Sequence, residues 1–173
     1  MEEAARPRDR LANVHVTETG PGDGGFEAFV ELFEQYRGHY GQAPDRDRSQ
    51  AWLAEATTTG PMRAFLARVD GVAAGICLIA VCPASLTLGE FWMVRDVFVD
   101  PRCRRTGVAW NLLHAVRVAA QQRGAARLTL QTEDDNAPAL RLYERYGFGA
   151  VTGLRHLTLS LGRSSGDSDE ASE

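Results

Sequence analysis

The stretch that decides the fold comprises residues 97–109, which read VFVDPRCRRTGVA. An alternating apolar run is followed by a basic turn, and Gly107 opens the most clearly amphipathic helix of the chain. A helix N-terminus carries unpaired N–H groups and a partial positive charge, so an anion can bind there. The small residues Gly107 and Ala109 allow close backbone approach, while Arg104 and Arg105 add positive charge. The same residues also fit a solvated basic turn that binds nothing.

Hydrophobic periodicity on either side of this stretch predicts alternating strands and helices. The predicted strands cover residues 14–17, 63–69, 72–81, 90–99 and 127–132, with one or two more in 151–161. The predicted helices cover residues 26–36, 47–56, 107–122 and 136–146. This order predicts an α/β fold of the mixed α+β kind, in which a mixed sheet of six to seven strands is flanked by about four helices.

The chain is long enough for one domain with its own core, at 173 residues. Residues 1–12 are charged and without periodicity, which predicts a flexible N-terminus. Residues 163–173 are rich in Ser, Asp and Glu, which predicts a disordered acidic tail. We therefore expect a single folded domain over residues 13–162.

Composition excludes several classes of function. A net charge of −4 argues against a nucleic-acid partner, and no run of eighteen apolar residues suggests a membrane span. All 19 basic residues are arginine, so neither a Schiff-base lysine nor a P-loop lysine is available. Three cysteines without a C-x-x-C pair, and histidines without ligand spacing, favour a reducing cytoplasm and predict no metal site.

A second motif follows the first in the sequence. Leu128-Thr129-Leu130-Gln131-Thr132 predicts a strand, and residues 136–148, NAPALRLYERYGF, predict a helix capped by Asn136. The first motif, Arg104-x-x-Gly107-x-Ala109, resembles the Q/R-x-x-G-x-G/A signature of GNAT acetyltransferases, and the second resembles their fifth strand and fourth helix. Together the motifs cover about residues 90–151. Arg105 and Ala109 depart from the commonest form of the signature, and we expect both to preserve cofactor binding.

The resemblance implies an acetyl-CoA site, residue by residue. It implies that the strand Val97, Phe98 and Val99 pairs with the pantetheine arm, and that Asn136 contacts the cofactor or a bound water. It also implies that the turn wraps the pyrophosphate, through Arg104, Arg105, Thr106, Gly107, Val108 and Ala109. Dimers are common in this family, so the resemblance also allows a homodimer.

Two side chains are candidates for proton transfer. The resemblance implies that Tyr143 protonates the departing thiolate, although a tyrosine at helical spacing from Leu142 also fits a core position. Strict alternation places Asp96 on the same strand face as Trp92 and Val94, and a carboxylate in an apolar strand is costly unless it is paired or functional. The structural alternative is pairing with a neighbouring arginine, such as Arg95 past a bulge. Asp96 matches an aspartate of spermidine/spermine-type acetyltransferases. The glutamate base of nuclear histone acetyltransferases would fall at Met93, so that mechanism is not implied.

The acceptor end is predicted from aromatic and acidic residues. Tyr36, His39 and Tyr40 end the first helix, where family members shape the acceptor pocket. Aromatic rings there suit a cationic amine, and they fit ordinary packing equally well. Glu133 begins an acidic loop that fits either a cation-binding rim or solvated surface. We therefore expect an N-acetyltransferase acting on a small cationic amine, such as a polyamine, an amino acid or an aminoglycoside. The alternatives are a non-catalytic acyl-CoA-binding regulator and an enzyme that acetylates protein N-termini or lysines.

Overall fold

The fold is a five-stranded sheet with helices on both faces. The computed structural model describes residues 13–153, 155–159 and 161, so the predicted flexible terminus 1–12 and the acidic tail 163–173 lie outside the described residues. The strands are β1 (Val14–Thr19), β2 (Met62–Val69), β3 (Val72–Ala84), β4 (Gly89–Val99) and β5 (Leu128–Leu130). The helices are α1 (Phe26–His39), α2 (Arg46–Thr58), α3 (Val108–Gln122) and α4 (Ala137–Tyr146).

The strands follow one another in the sheet in the order β1-β2-β3-β4-β5. The first four strands are antiparallel, and β5 pairs with β4 in parallel. The hairpin between β2 and β3 turns at Asp70 and Gly71, which both have positive φ, as expected for an Asp-Gly turn. A parallel neighbour needs a long crossover, and α3 supplies it between β4 and β5. The predicted mixed α/β fold is confirmed.

Two apolar cores cover the two faces of the sheet. On one face α1 and α2 bury residues that include Phe29, Val30 and Leu53 against the sheet. On the other face α3 buries Leu112 and Val116, and the apolar side of α4 packs against the same core. The helical periodicity of the sequence therefore corresponds to burial, because each helix turns its apolar stripe toward the sheet.

The last turns of α1 are tied to α2 through Glu34. Its carboxylate accepts hydrogen bonds from Ser49 Oγ at 2.5 Å, from the backbone N–H of Asp45 at 2.7 Å and from Arg37 Nη1 at 2.6 Å. These bonds satisfy the half-buried carboxylate and lower its pKa, against the opposing effect of burial, which raises it. The C-terminal end of α1, which carries Tyr36, is thereby fixed against its neighbour.

A β-bulge at Arg95 changes the face that β4 presents. Leu78 of β3 lies opposite Asp96 and Ile79 lies opposite Val94, so Arg95 is the extra residue. Val94 is buried in the core under α3, whereas Phe98 is buried in the core under α1. The expectation that Asp96 shares a face with Trp92 and Val94 is wrong, because the extra residue reverses the alternation.

The expectation of six to seven strands is also wrong, since the described residues of 151–161 form no strand. Their large apolar side chains, Val151, Leu157, Leu159 and Leu161, are between 71% and 84% exposed. An apolar alternation becomes a strand only when a neighbour takes its backbone hydrogen bonds. The adjacent strand β5 is three residues long. It offers little edge for a further strand.

A close approach between β3 and α3 sets the position of the α3 N-terminus. A Cβ atom added to Gly75 would lie 2.7 Å from Cγ1 of Val108 and 2.9 Å from the backbone oxygen of Phe98. Only glycine fits between these atoms without movement of the strand or the helix. The start of α3 is therefore pressed against the sheet directly beside the end of β4.

In the described part of the chain, none of the helices has the length and apolar character that a membrane crossing requires.

Candidate active site

A cavity of about 630 Å³ opens where β4, α3, α4 and the end of α1 meet. Its walls come from four parts of the chain that are far apart in sequence. They are the end of α1, the last residues of β4, the turn with the start of α3, and one side of α4. The cavity therefore lies against the stretch that dominates the sequence pattern, and it extends toward the aromatic end of α1.

The outer edge of β4 borders this cavity. The pairing of β4 with β5 ends at Val94 and Leu130, so beyond the bulge no strand of the described chain pairs with this edge of β4. Val97, Phe98 and Val99 line the cavity there. A strand edge without a partner offers its backbone N–H and C=O groups to an extended ligand. The bulge thus separates a paired half of β4 from a half that borders the cavity.

The turn after β4 is ordered by Asp100. Its buried carboxylate accepts a hydrogen bond from the backbone N–H of Arg102 at 2.9 Å. It accepts another from Nη2 of the Arg102 side chain at 2.6 Å. The Arg102 guanidinium and these hydrogen bonds lower the pKa of the Asp100 carboxyl to about 2. The Asp100 backbone N–H donates to Ala74 O, which joins the turn to β3.

Asp100→Asn is expected to lower the free energy of unfolding by about 1 kcal/mol near pH 7, because it removes the negative charge that strengthens the hydrogen bonds from Arg102. The folded-state pKa of Asp100 is depressed, so its stabilising contribution is present above the unfolded pKa and is lost as pH falls toward about 2. Urea unfolding at pH 7 and pH 3 measures this contribution. A stability difference between the variant and wild type that grows on acidification would contradict the assignment.

The remainder of the turn leads into α3. Thr106 Oγ1 donates to the carbonyl of Cys103 at 2.6 Å, and Arg105 has a positive φ of 64°. Gly107 is the N-cap of α3 with a φ of 87°, a conformation that favours glycine. Gly107, Val108 and Ala109 line the cavity, so the N-terminal end of α3, with its unpaired N–H groups, faces it. The arrangement can bind an anion.

The α4 wall contributes Tyr143. This side chain lines the cavity, packs against the core under α3 and lies edge-on to Phe148, with ring centroids 5.8 Å apart. Burial, with the nearby Cys77, Tyr40 and Glu133, raises its pKa to about 12. The hydroxyl therefore keeps its proton at any neutral pH. Asn136 caps α4 by accepting a hydrogen bond from the Ala139 N–H at 3.3 Å, and it also lines the cavity.

At the opposite end, α1 contributes an aromatic wall, and two carboxylates from other parts of the chain lie near it. Tyr36 and Tyr40 line the cavity with their ring centroids 5.1 Å apart in an edge-on arrangement. The hydroxyl of Tyr36 donates to Oδ1 of Asp96 at 2.6 Å. Burial raises the pKa of the Asp96 carboxyl, while the Tyr36 hydrogen bond and Arg95 lower it in part. The exposed Glu133 is near enough to help raise the pKa values of both tyrosines.

Twelve of the fifteen predicted site residues line this cavity, and three do not. Asp96 is hydrogen-bonded to Tyr36 and is not a lining residue, Thr106 stabilises the turn, and Glu133 lies outside the lining. His39, expected beside Tyr36 and Tyr40 at the end of the first helix, also lines the cavity. Sequence reasoning assigned no site role to six lining residues: Cys103, Trp110, Pro138, Ala139, Leu142 and Arg145. A helical projection from Tyr143 would have found Ala139 and Leu142, since residues three and four apart share a face. No cluster of metal-binding side chains occurs among the residues that the structure describes.

Comparison with known proteins agrees with this geometry. The acetyltransferase (GNAT) family matches residues 26–148. An uncharacterized N-acetyltransferase of Bacillus subtilis, YhfO, is 34% identical over 134 residues, which are 78% of this chain and 90% of YhfO. The crystal structure of a probable acetyltransferase superposes with a TM-score of 0.79 at 25% identity, over 86% of this chain and 98% of the other.

A more distant structure shares the fold. The aminoglycoside N-acetyltransferase AAC(6')-Iy, solved in complex with CoA, has a TM-score of 0.69 at 21% identity, over 92% of this chain and 99% of that enzyme. The family match spans more than half of the chain and contains the turn, the outer edge of β4 and the three helices that border the cavity. This chain therefore belongs to the GNAT family of acetyltransferases.

Proposed function

We propose that this acetyltransferase moves the acetyl group of acetyl-CoA directly to a primary amine of a small cationic molecule. The observation that carries the proposal is one cavity of about 630 Å³, which joins a turn that can bind an anion to an aromatic wall with the carboxylates of Asp96 and Glu133 near it. One end has the chemistry for a diphosphate and the other has the chemistry for a cation. A direct transfer requires both partners to meet in one space.

The residues around the turn fit the donor. The N-terminal end of α3 and Arg104 would hold the pyrophosphate, while the outer edge of β4 at residues 97–99 would pair with the amides of the pantetheine arm. Gly107 supports this fit, because its positive φ lets the backbone curve around a ligand without a side chain in the way. Asn136 is the proposed further contact from α4. The aminoglycoside enzyme solved with CoA has the same fold, which is consistent with this placement.

The α1 wall fits a cationic acceptor. Tyr36 and Tyr40 present aromatic rings to the cavity, and Asp96 and Glu133 supply negative charge near them. A primary amine has a pKa near ~10, so it arrives as an ammonium ion, which both rings and carboxylates attract. A neutral molecule of the same size would gain neither attraction.

The reaction moves protons at nitrogen and at sulfur, and the chain offers a group at each place. The ammonium must lose a proton before its nitrogen can attack, and Asp96 or a water beside it is the proposed acceptor of that proton. When the C–N bond forms, the nitrogen loses a second proton to solvent. When the C–S bond breaks, the sulfur leaves with the electron pair and must be protonated. Tyr143 is the proposed donor, since its raised pKa of about 12 keeps the hydroxyl protonated until that moment.

The test is release of CoA from acetyl-CoA in the presence of single amines. The panel holds a polyamine, an amino acid, an aminoglycoside, a peptide with a free N-terminus and a lysine-containing peptide, with a neutral amide as blank. We expect turnover with a small polycationic amine and higher KM values for the peptides. Because the chain contains no lysine, acetylation of its own lysine side chains cannot contribute to the signal.

Binding of acetyl-CoA without turnover on any amine would overturn the proposal and favour a regulatory acyl-CoA-binding module. Preference for a peptide N-terminus or a lysine side chain would instead assign a protein acetyltransferase. The binding measurement is made by calorimetry with CoA itself, so that cofactor affinity and transfer are read separately. An enzyme and a binding module are thereby distinguished in one set of samples.

A further inference from the structure

The contact between Tyr36 and Asp96 is the longest-range side-chain hydrogen bond of the described residues. The two residues are 60 positions apart, on α1 and on β4, and the Tyr36 hydroxyl donates to Oδ1 of Asp96 at 2.6 Å. In the described part of the chain, the other carboxylate oxygen, Oδ2, accepts no side-chain hydrogen bond. Tyr36 thus holds Oδ1, and Oδ2 has no such bond.

The ring of Tyr36 is itself held by aromatic neighbours. Its centroid lies 6.0 Å from that of Phe33, 6.1 Å from that of Phe98 and 5.1 Å from that of Tyr40. The Glu34 bonds to α2 fix the turn of the helix that carries it. The hydroxyl of a ring held in this way has few alternative positions. Its hydrogen bond therefore determines where the Asp96 carboxylate lies, and the hydroxyl does not move to suit the carboxylate.

The charged and titratable groups around Asp96 come from every element packed against it. They are Tyr36 and Tyr40 at the end of α1, Cys77 on β3, Arg95 on β4 and Glu133 after β5. Arg95 is exposed and acts on Asp96 only through space, because it forms no ion pair with it. Tyr36 is therefore the one group of this set that donates a hydrogen bond to the carboxylate.

We propose that Tyr36 is a positioning residue, which holds Oδ1 of Asp96 so that Oδ2 receives the proton of the acceptor ammonium. This inference rests on the proposed function and changes the role first expected for Tyr36, which was a substrate contact. The N–H bond of the ammonium breaks, an O–H bond forms on Oδ2, and the electron pair stays on nitrogen. The proton then passes to solvent, and the tyrosine hydroxyl keeps its own proton throughout.

The experiment is the pH profile of kcat/KM for the best amine, measured with wild type and Tyr36→Phe. Phenylalanine keeps the aromatic packing and removes the donor. A hydrogen bond to the ionised carboxylate lowers its pKa, so removing the bond raises the pKa of Asp96. The acid limb of the profile should move to higher pH by about one unit or more, with KM for acetyl-CoA unchanged.

Two control variants accompany this measurement. Tyr146→Phe is the matched tyrosine-to-phenylalanine change, since the buried Tyr146 hydroxyl has no partner among the described residues and Tyr146 does not line the cavity. The acid limb of this variant should match wild type. In an Asp96→Asn background, Tyr36→Phe should cause no further shift. An unmoved acid limb in Tyr36→Phe, or an equal shift in Tyr146→Phe, overturns the inference.

A second readout does not depend on turnover. The carboxyl carbon of Asp96, labelled with ¹³C and assigned with Asp96→Asn, is titrated by NMR in wild type and in Tyr36→Phe. A higher pKa in the variant supports the positioning role, and an equal pKa overturns it. If no amine is acetylated, the proposed function fails while this titration still decides whether Tyr36 holds Asp96.

Discussion

Replacing Tyr143 with phenylalanine is expected to lower kcat for acetyl transfer by roughly 10²- to 10⁴-fold, the range typical of a lost general acid. Phenylalanine keeps the contact with Phe148 and the packing against the α3 core. It lacks only the proton that the departing thiolate needs. The pKa of about 12 keeps wild-type Tyr143 protonated, so the loss should be the same at every pH from about 6 to 10.

Steady-state kinetics with both substrates varied measure this effect. KM for acetyl-CoA should stay at the wild-type value, because the hydroxyl acts on charge that develops only during transfer. Equal thermal midpoints for the two proteins exclude a folding defect. A turnover number within twofold of wild type would mean that Tyr143 is a core residue of α4 and nothing more.

Gly75→Ala is expected to lower the free energy of unfolding by about 1–3 kcal/mol, as overpacking does in a well-packed core. The added methyl would lie 2.7 Å from Val108 Cγ1 and 2.9 Å from the Phe98 carbonyl, so either α3 or β4 must shift. Both neighbours border the cavity. The variant should therefore also raise KM for acetyl-CoA, although Gly75 itself does not line the cavity.

The matched control is Gly89→Ala, which adds the same methyl at the start of the neighbouring strand. There the nearest atoms are 3.9 Å and 4.0 Å away, so the change should alter stability by less than about 0.5 kcal/mol. Urea unfolding measures both variants, with an unchanged m-value showing that the same surface is exposed. Equal midpoints for the two variants would contradict the close approach between β3 and α3.

The sequence predicted those parts of the fold that depend on local pattern. The helix expected over residues 107–122 is Val108–Gln122, because its apolar face is complete and a glycine precedes it. The strand expected over residues 90–99 is Gly89–Val99, since a proline closes it. In both cases the signal lies inside the element itself, so no distant contact is needed to specify it.

Features that depend on distant contacts were not specified by the sequence pattern. An extra residue in a strand leaves no mark in a period of two, so the bulge at Arg95 was only an open alternative to strict alternation. The bond between Tyr36 and Asp96 joins residues 60 positions apart. The apolar alternation after Val151 predicted strands that are absent among the described residues. Such a pattern shows that one side of the segment is apolar, but it does not show that a partner strand is present.

The bulge in β4 also determines which of its side chains face α3 and which face α1. Beyond Arg95, Val97 and Val99 pack toward the core under α3, while Asp96 and Phe98 lie on the side of α1. Neighbouring residues of this short segment therefore pack on opposite faces of the sheet. A substitution at Phe98 changes a side chain on the side of α1 and leaves the backbone edge that borders the cavity as it is. Changes confined to one face of this segment therefore need alternate positions only.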